Sequence, residues 1–214
     1  YKMTDVFDAN GIKMFGVENF KPILTRGVLI DAVAQKGHLL EAGEGVTVAD
    51  VEGFLKKNNL EVRPGDAVLI RTGWHRHLTD GEYVGPEPGI TKDLAKWLYD
   101  KRVVVVGTDN WATEQIPGDD PNEVMPVQQL LATKYGIYTF RYGVFDELAA
   151  DKLYEFCFVF TCPKTSGTTQ GIGRPIVIGN GPGTKVIGPP TIHPVKPGTW
   201  YPTRYGAEDE NGTM

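Results

Sequence analysis

Cysteine is scarce in this chain of 214 residues: there are two, Cys157 and Cys162. They fall in or beside one apolar run, Phe156-Cys157-Phe158-Val159-Phe160. Side chains alternate along a strand, so thiols five positions apart point to opposite faces and a bridge between them is poor geometry. Two buried free thiols are the expectation. Positive charge is also short: 22 Lys and Arg stand against 27 Asp and Glu, a net charge of −5. Phosphate binding needs a basic face, so nucleic acid is not an expected partner. No apolar run approaches the ~20 residues that cross a bilayer as a helix, and no membrane partner is expected. Gly-x-Ser-x-Gly is missing, and neither Cys stands beside a His in a readable pattern, which leaves serine and cysteine hydrolase chemistry without support. No repeat at a period of about 20–50 residues is visible.

What is present is an ordinary globular composition, 41% hydrophobic and 23% charged, with enough length for one large domain or a domain with extensions. Strand patterns alternate with helix patterns. Gly27–Ile30 reads as a strand ending in Asp31. Thr47 caps a helix with Asp50 in its first turn; Val48, Val51, Phe54 and Leu55 share its inner face, and it ends near Asn58-Asn59. After the turn Arg63-Pro64-Gly65-Asp66, Ala67–Arg71 is a strand. Thr91 caps a second helix with Leu94, Ala95 and Leu98 inward, leading into the strand Val103–Val106. Pro126 starts a third helix that stops before Gly136. Ile137–Phe140, Tyr154–Phe160 and Pro175–Ile178 complete the strands. The class is α/β. From Gly179 to Met214 glycine and proline dissolve the pattern, but Trp200, Tyr201 and Tyr205 are too aromatic for a purely solvated tail; an extended arm packed on its own domain or on a neighbouring subunit is expected.

The stretch from Val103 to Arg141 carries most of the chemistry. Four valines in a row read as a strand buried on both faces. It stops at Gly107 and releases Asp109, Asn110, Trp111, Thr113 and Glu114 at the carboxyl end of a central strand, where ligand groups gather in α/β proteins. Glu114 and Asp109 are general acid or base groups there, or else Asp109 caps a turn and Glu114 pairs with an arginine such as Arg71. Trp111 and Trp74 wall a pocket for a planar ring, or pack in the core and on a surface loop. His75-Arg76-His77 has the spacing of a metal pair but no third ligand nearby in sequence, and an exposed loop is the expectation. The loop Gly118–Glu123 lacks the ligand spacing of a calcium loop. Gly167–Gly173 lacks the Gly-Lys-Ser/Thr ending of a phosphate loop.

Three ordered blocks, Thr25-Arg26-Gly27-Val28-Leu29-Ile30-Asp31, Arg63–Trp74 and Val103–Arg141, resemble the cyclase family, which includes bacterial kynurenine formamidases and isatin hydrolases. The resemblance runs from about Gly16 to about Ile178. It implies a cyclase-like swivelling β/α domain over residues 1–178, a mixed central sheet flanked by helices, with the family's amino-terminal part absent. It implies a metal-dependent hydrolase that opens amide or cyclic amide bonds of a small, aromatic or carboxylate-bearing substrate. Members carry an amino-terminal His-rich metal motif that has no counterpart here, and the chain begins at Tyr1 rather than Met, so an upstream segment is expected. Members also carry a His in a Pro-Val-His-Gln block and a Glu after the next strand; this sequence has Gln128 and Arg141 at those places.

That exchange has physical weight. An amide oxygen is a weak ligand for zinc or manganese, and a guanidinium cannot bind a cation at all, although it suits a carboxylate as a bidentate partner. Two functions follow. Either the divalent metal is held by residues outside this chain, with Glu114 and Gln128 as polar catalytic groups, Arg141, Asp109, Trp111 and Trp74 around the substrate, and no metal ligand here. Or the chain is a degenerate relative, a binding or assembly module. A small-molecule substrate and a homo-oligomer are expected in the first case; the compartment stays open, with the cytoplasm the default.

Overall fold

The framework of the fold is a six-stranded sheet, and a computed structural model describes it within residues 2–180 apart from Asn10, Asp80, Glu82 and Pro121. In chain order its strands are β1 (Ile23–Asp31), β2 (Ala67–Arg71), β3 (Val105–Thr108), β4 (Tyr138–Phe140), β5 (Glu155–Phe160) and β6 (Ile176–Ile178). Across the sheet they run β6-β5-β1-β2-β3-β4. β1 to β4 are parallel neighbours, while β5 lies antiparallel to β1 and β6 antiparallel to β5. A one-turn helix, Met3–Val6, precedes the sheet; after β1 the α-helices are α1 (Ala32–Lys36), α2 (Val48–Lys57), α3 (Lys92–Asp100), α4 (Pro126–Gln128, continued by the π-helical Gln129–Lys134) and α5 (Asp146–Ala150).

The alternation of side chains explains why the buried stretches of β1, β2 and β3 are apolar on both faces. Val28, Ile30, Val68, Ile70 and Val106 face α2, α3 and α4, where they pack on Val51, Phe54, Leu94, Leu98 and Leu131. Leu29, Ala67, Leu69 and Val105 face the other way, onto Phe145, Phe156 and Phe158. A strand buried on both faces needs hydrophobic residues at every position. The expected caps are present: Thr47 and Asp50 form a reciprocal box at the start of α2, and the Thr91 hydroxyl accepts from Leu94 N–H at the start of α3.

Some boundaries differ from the sequence reading. β1 begins at Ile23 instead of Gly27 because Ile23–Val28 pairs with Glu155–Phe160 of β5, a partner distant in sequence. β3 starts two residues later than its valine run. Val103 N–H closes the end of α3 on Leu98 O, and Val104 N–H goes to Asp66 O. Cys157 and Cys162 are half-buried free thiols, where full burial was expected. The described residues belong to a unit spanning Tyr1–Thr184. The arm expected from Gly179 lies, beyond residue 180, outside them.

Candidate functional site

The carboxyl ends of β1, β2 and β3 stand side by side, so Asp31, Arg71 and Asp109 leave the sheet together. Arg71 donates to Asp31 Oδ1 at 3.0 Å and through Nε to Asp146 Oδ1 at 2.8 Å. The pairing of Arg71 with Glu114 considered from sequence is therefore not formed; two nearer carboxylates take the guanidinium. Asp109 is buried and accepts from Thr72 N–H, the Thr72 hydroxyl (2.6 Å) and Gly73 N–H (2.7 Å). It ties the turn after β2 to the end of β3.

His75 sits beside this network rather than in an exposed loop. Its Nε2 is 2.6 Å from Asp146 Oδ2 and its Nδ1 3.9 Å from Asp109 Oδ2. Asp109 is the first cause of the raised His75 pKa, against partial burial and ahead of the charge of Asp146. At 3.9 Å it acts as a charge more than as a hydrogen-bond acceptor. His77 turns away and packs its ring on Trp74, with centroids 4.3 Å apart. Trp74 itself is buried, its indole N–H donating to Tyr83 O at 3.2 Å.

The loop after β3 is held from several sides. Glu114, buried, accepts from Val127 N–H (3.2 Å) and Gln128 N–H (3.0 Å), so it caps the free donors at the start of α4. Burial raises its pKa, and those two N–H groups oppose the rise. Gln128 donates through Nε2 to Ala112 O at 2.8 Å, and Arg141 through Nη1 to Trp111 O at 3.1 Å. Gln128 and Arg141 thus converge on consecutive carbonyls of one segment. Trp111 is half-buried beside them.

Two residues escaped the sequence reading. Glu87 is fully buried and accepts from Trp111 N–H at 3.2 Å and from Ala112 N–H. Burial pushes its pKa up to about 7, although the Ala112 and Trp111 N–H groups and the Arg141 guanidinium pull it down. Tyr83 donates its hydroxyl to Asp109 O at 3.0 Å and stacks on Tyr142. Burial, followed by the charges of Asp109 and Glu87, raises its pKa as well. Both lie in the Gly- and Pro-rich stretch before α3. The only local signal was an acidic residue directly before Pro88-Gly89, which reads equally as a solvated turn.

A groove of about 720 Å³ opens between the starts of α2 and α3, lined among others by Gly45, Thr47, Thr91, Lys92, Gln115 and Asp119. Glu114 borders a smaller neighbouring cleft with Lys92 and Glu123. Trp111, Gln128, Arg141, Asp109 and Trp74 line neither.

The donor set does not fit a metal ion. Arg141 is a cation, Gln128 offers only a neutral amide oxygen, a weak ligand, and the Glu114 carboxylate is engaged by α4. Among the described residues no group of three or more His, Cys, Asp or Glu is placed to hold one.

Comparison with known proteins gives this arrangement a context. No curated protein matches the chain. Among solved structures, a novel cyclase is similar at 32% identity and TM-score 0.69, over 77% of this chain and 56% of its own. Isatin hydrolase A from Labrenzia aggregata, bound to benzyl benzoate, is similar at 21% identity and TM-score 0.56, over 76% of this chain and 63% of its own. A protein described as a potential metal-dependent hydrolase with cyclase activity is similar at 18% identity and TM-score 0.51, over 72% and 64%. The last two likenesses concern the fold alone. The chain spans less than two thirds of the length of each of these structures. The Cyclase family model matches residues 7–115, about half of the chain. With the parallel β1–β4 core and its loop after β3 in place, that match settles the kinship: the chain belongs to the Cyclase family.

Proposed function

We propose that this chain supplies the substrate-binding part of a cyclase-type, metal-dependent hydrolase acting on the amide or cyclic amide bond of a small, aromatic or carboxylate-bearing molecule. The observation that supports it best is the convergence of Gln128 and Arg141 on the Trp111–Ala112 carbonyls at the end of β3. The family resemblance implies that these positions correspond to a His and a Glu of its members. Here the half-buried Arg141 turns its charge to a substrate carboxylate, Trp111 offers a ring face, and Glu114 and Gln128 orient the amide; Asp109 and Trp74 support from behind. A zinc or manganese ion, which would supply the activated water, would be held by residues outside this chain. The complete protein is expected to carry about one divalent ion per chain and to hydrolyse isatin-like rings or aryl formamides until a chelator is added. Elemental analysis that finds no metal removes this reading. Homo-oligomer formation belongs to it too: Ile172, Ile176 and Ile178 leave large apolar surface exposed around the edge strand β6, and sedimentation of the complete protein checks it.

A second reading is favoured by the same bonds seen differently. Glu114, Gln128 and Arg141 all spend hydrogen bonds on backbone, which suits a degenerate relative that keeps the fold as a binding or assembly module. Then Gln128→His combined with Arg141→Glu creates divalent-ion affinity absent from the unmodified chain, measured by calorimetry with Zn²⁺. Metal-controlled hydrolysis by the unmodified protein rules this reading out.

A further inference from the structure

Glu87 occupies a place that no part of the proposed chemistry uses. Its backbone is locked to Ile116 by two reciprocal bonds of 2.8 Å, and Ile90 N–H donates to Thr113 O at 3.0 Å. The strip 87–90 therefore runs along the strip 113–116, and the loop that follows β3 comes against the Glu87 side chain. From that loop the carboxylate accepts both Trp111 N–H and Ala112 N–H. On the opposite side the carbonyls of the same two residues are taken by Arg141 and Gln128. The Trp111–Ala112 peptide is thus gripped at both poles, its N–H by Glu87 and its carbonyl by Arg141, while Glu87 and Gln128 also hold the peptide groups on either side of it.

The grip opposes a real tendency to relax. Thr113, buried and β-branched, sits at φ +74°, a region that such residues avoid. Asn110 bridges the same loop, donating to Pro88 O at 2.6 Å and accepting from Thr113 N–H. A carboxylate stripped of water is tolerated only where fixed dipoles replace the water, and here they are the amides of the segment that carries Trp111.

We propose that Glu87 is the positioning residue of this site: by taking the Trp111 and Ala112 amides it sets the segment on which Trp111 stands and to which Arg141 and Gln128 anchor. The role rests on the reading of that segment as the wall of a small-molecule site. The ionised carboxylate accepts both amides; the neutral acid turns one oxygen into a donor and loosens one of them. The charged and titratable groups facing it are Arg141, Asp109 and Tyr83, with Tyr142 stacked behind Tyr83.

The test is ¹⁹F NMR of the protein labelled with 5-fluorotryptophan, the Trp111 line being assigned by its loss in Trp111→Phe. Glu87→Gln should shift or broaden the Trp111 line while the Trp97 line stays in place. In the unsubstituted protein that line should move with a single inflection near neutrality between about pH 5.5 and about 8.5. The inflection should persist in His75→Asn, which excludes the neighbouring imidazole as its source. An unchanged Trp111 line in folded Glu87→Gln, or a flat titration, overturns the proposal; should Glu87→Gln fail to fold, the titration decides alone. No substrate or metal enters this experiment, so its failure leaves the hydrolase reading intact, and a lack of turnover in the complete protein leaves the role of Glu87 intact.

Discussion

In the unfolded chain a glutamate carboxyl ionises near 4.5, whereas burial lifts Glu87 to about 7. Between those values the folded protein keeps a proton that the unfolded chain has released. Raising the pH through that window therefore removes stability, at most about 3 kcal/mol for such a shift. His75 acts in the same direction: its pKa is raised by Asp109 first and by Asp146. Its stabilisation is complete below the ordinary imidazole range and is lost as the pH climbs through the raised value. Glu44 and Asp50 set the acid limb. Burial pushes both up, but backbone and side-chain bonds at Glu41, His38 and Thr47, with the charge of Lys36, outweigh it and hold them low. Their stabilisation disappears as the pH falls through those lowered values. Urea unfolding should accordingly give greatest stability in the mildly acid range and a decline toward pH ~8. Combining Glu87→Gln with His75→Asn should flatten that decline; stability that climbs steadily to pH ~8 contradicts the assignment. The ionised Glu87 costs the fold stability while holding the Trp111 segment, a pattern expected of functional sites.

The elements respond to single substitutions by different mechanisms. The strip 87–90 passes so close to the loop after β3 that a Cβ on Gly89 would lie 2.3 Å from the Glu114 carbonyl carbon and 2.7 Å from Gln115 N. Those are backbone atoms and cannot turn aside, so Gly89→Ala should cost about 3 kcal/mol and release the cap that Glu114 places on α4. Gly37 ends α1 at φ +83° with nothing within 4 Å of an added Cβ. Gly37→Ala meets only left-handed backbone strain, about 1 kcal/mol. Thr47→Ala removes the capping box of α2, again about 1 kcal/mol. Chemical denaturation of the three variants should rank Gly89→Ala well apart; equal costs would mean that the 87–90 strip is not packed as described. The α2 and α3 caps were legible because capping needs only residues three apart. The role of Glu114 was not, because its donors at Val127 and Gln128 are brought to it by the return of the chain after a loop of irregular sequence.

At the scale of the whole molecule, one sheet does two jobs. Its parallel half, β1 to β4, lines up the carboxyl ends from which Asp31, Arg71 and Asp109 emerge, while β5 and β6 extend the other edge antiparallel. The alternating strand and helix patterns and the three ordered blocks were sufficient to read an α/β protein of cyclase type, as the family match over residues 7–115 bears out. The mixed sheet was implied by the family resemblance, but that β5 is the strand added antiparallel to β1 was not readable, since the two lie more than a hundred residues apart and neither names the other. Pairing with β5 also lengthened β1 beyond its own apolar run.

Periodicity, caps and turn residues act over a few positions, and they alone specified the order of the elements, the double-sided burial of the central strands and the release of polar groups after Gly107. Which of those groups share a partner was a matter of how the chain returns on itself. Packing drew Glu87 out of a Gly- and Pro-rich stretch into the interior, gave Arg71 to Asp31 and Asp146, and set Gln128 and Arg141 on neighbouring carbonyls. Hydrogen bonds and charges reach only a few ångströms, so they are decided by distances in space that no spacing along the chain records.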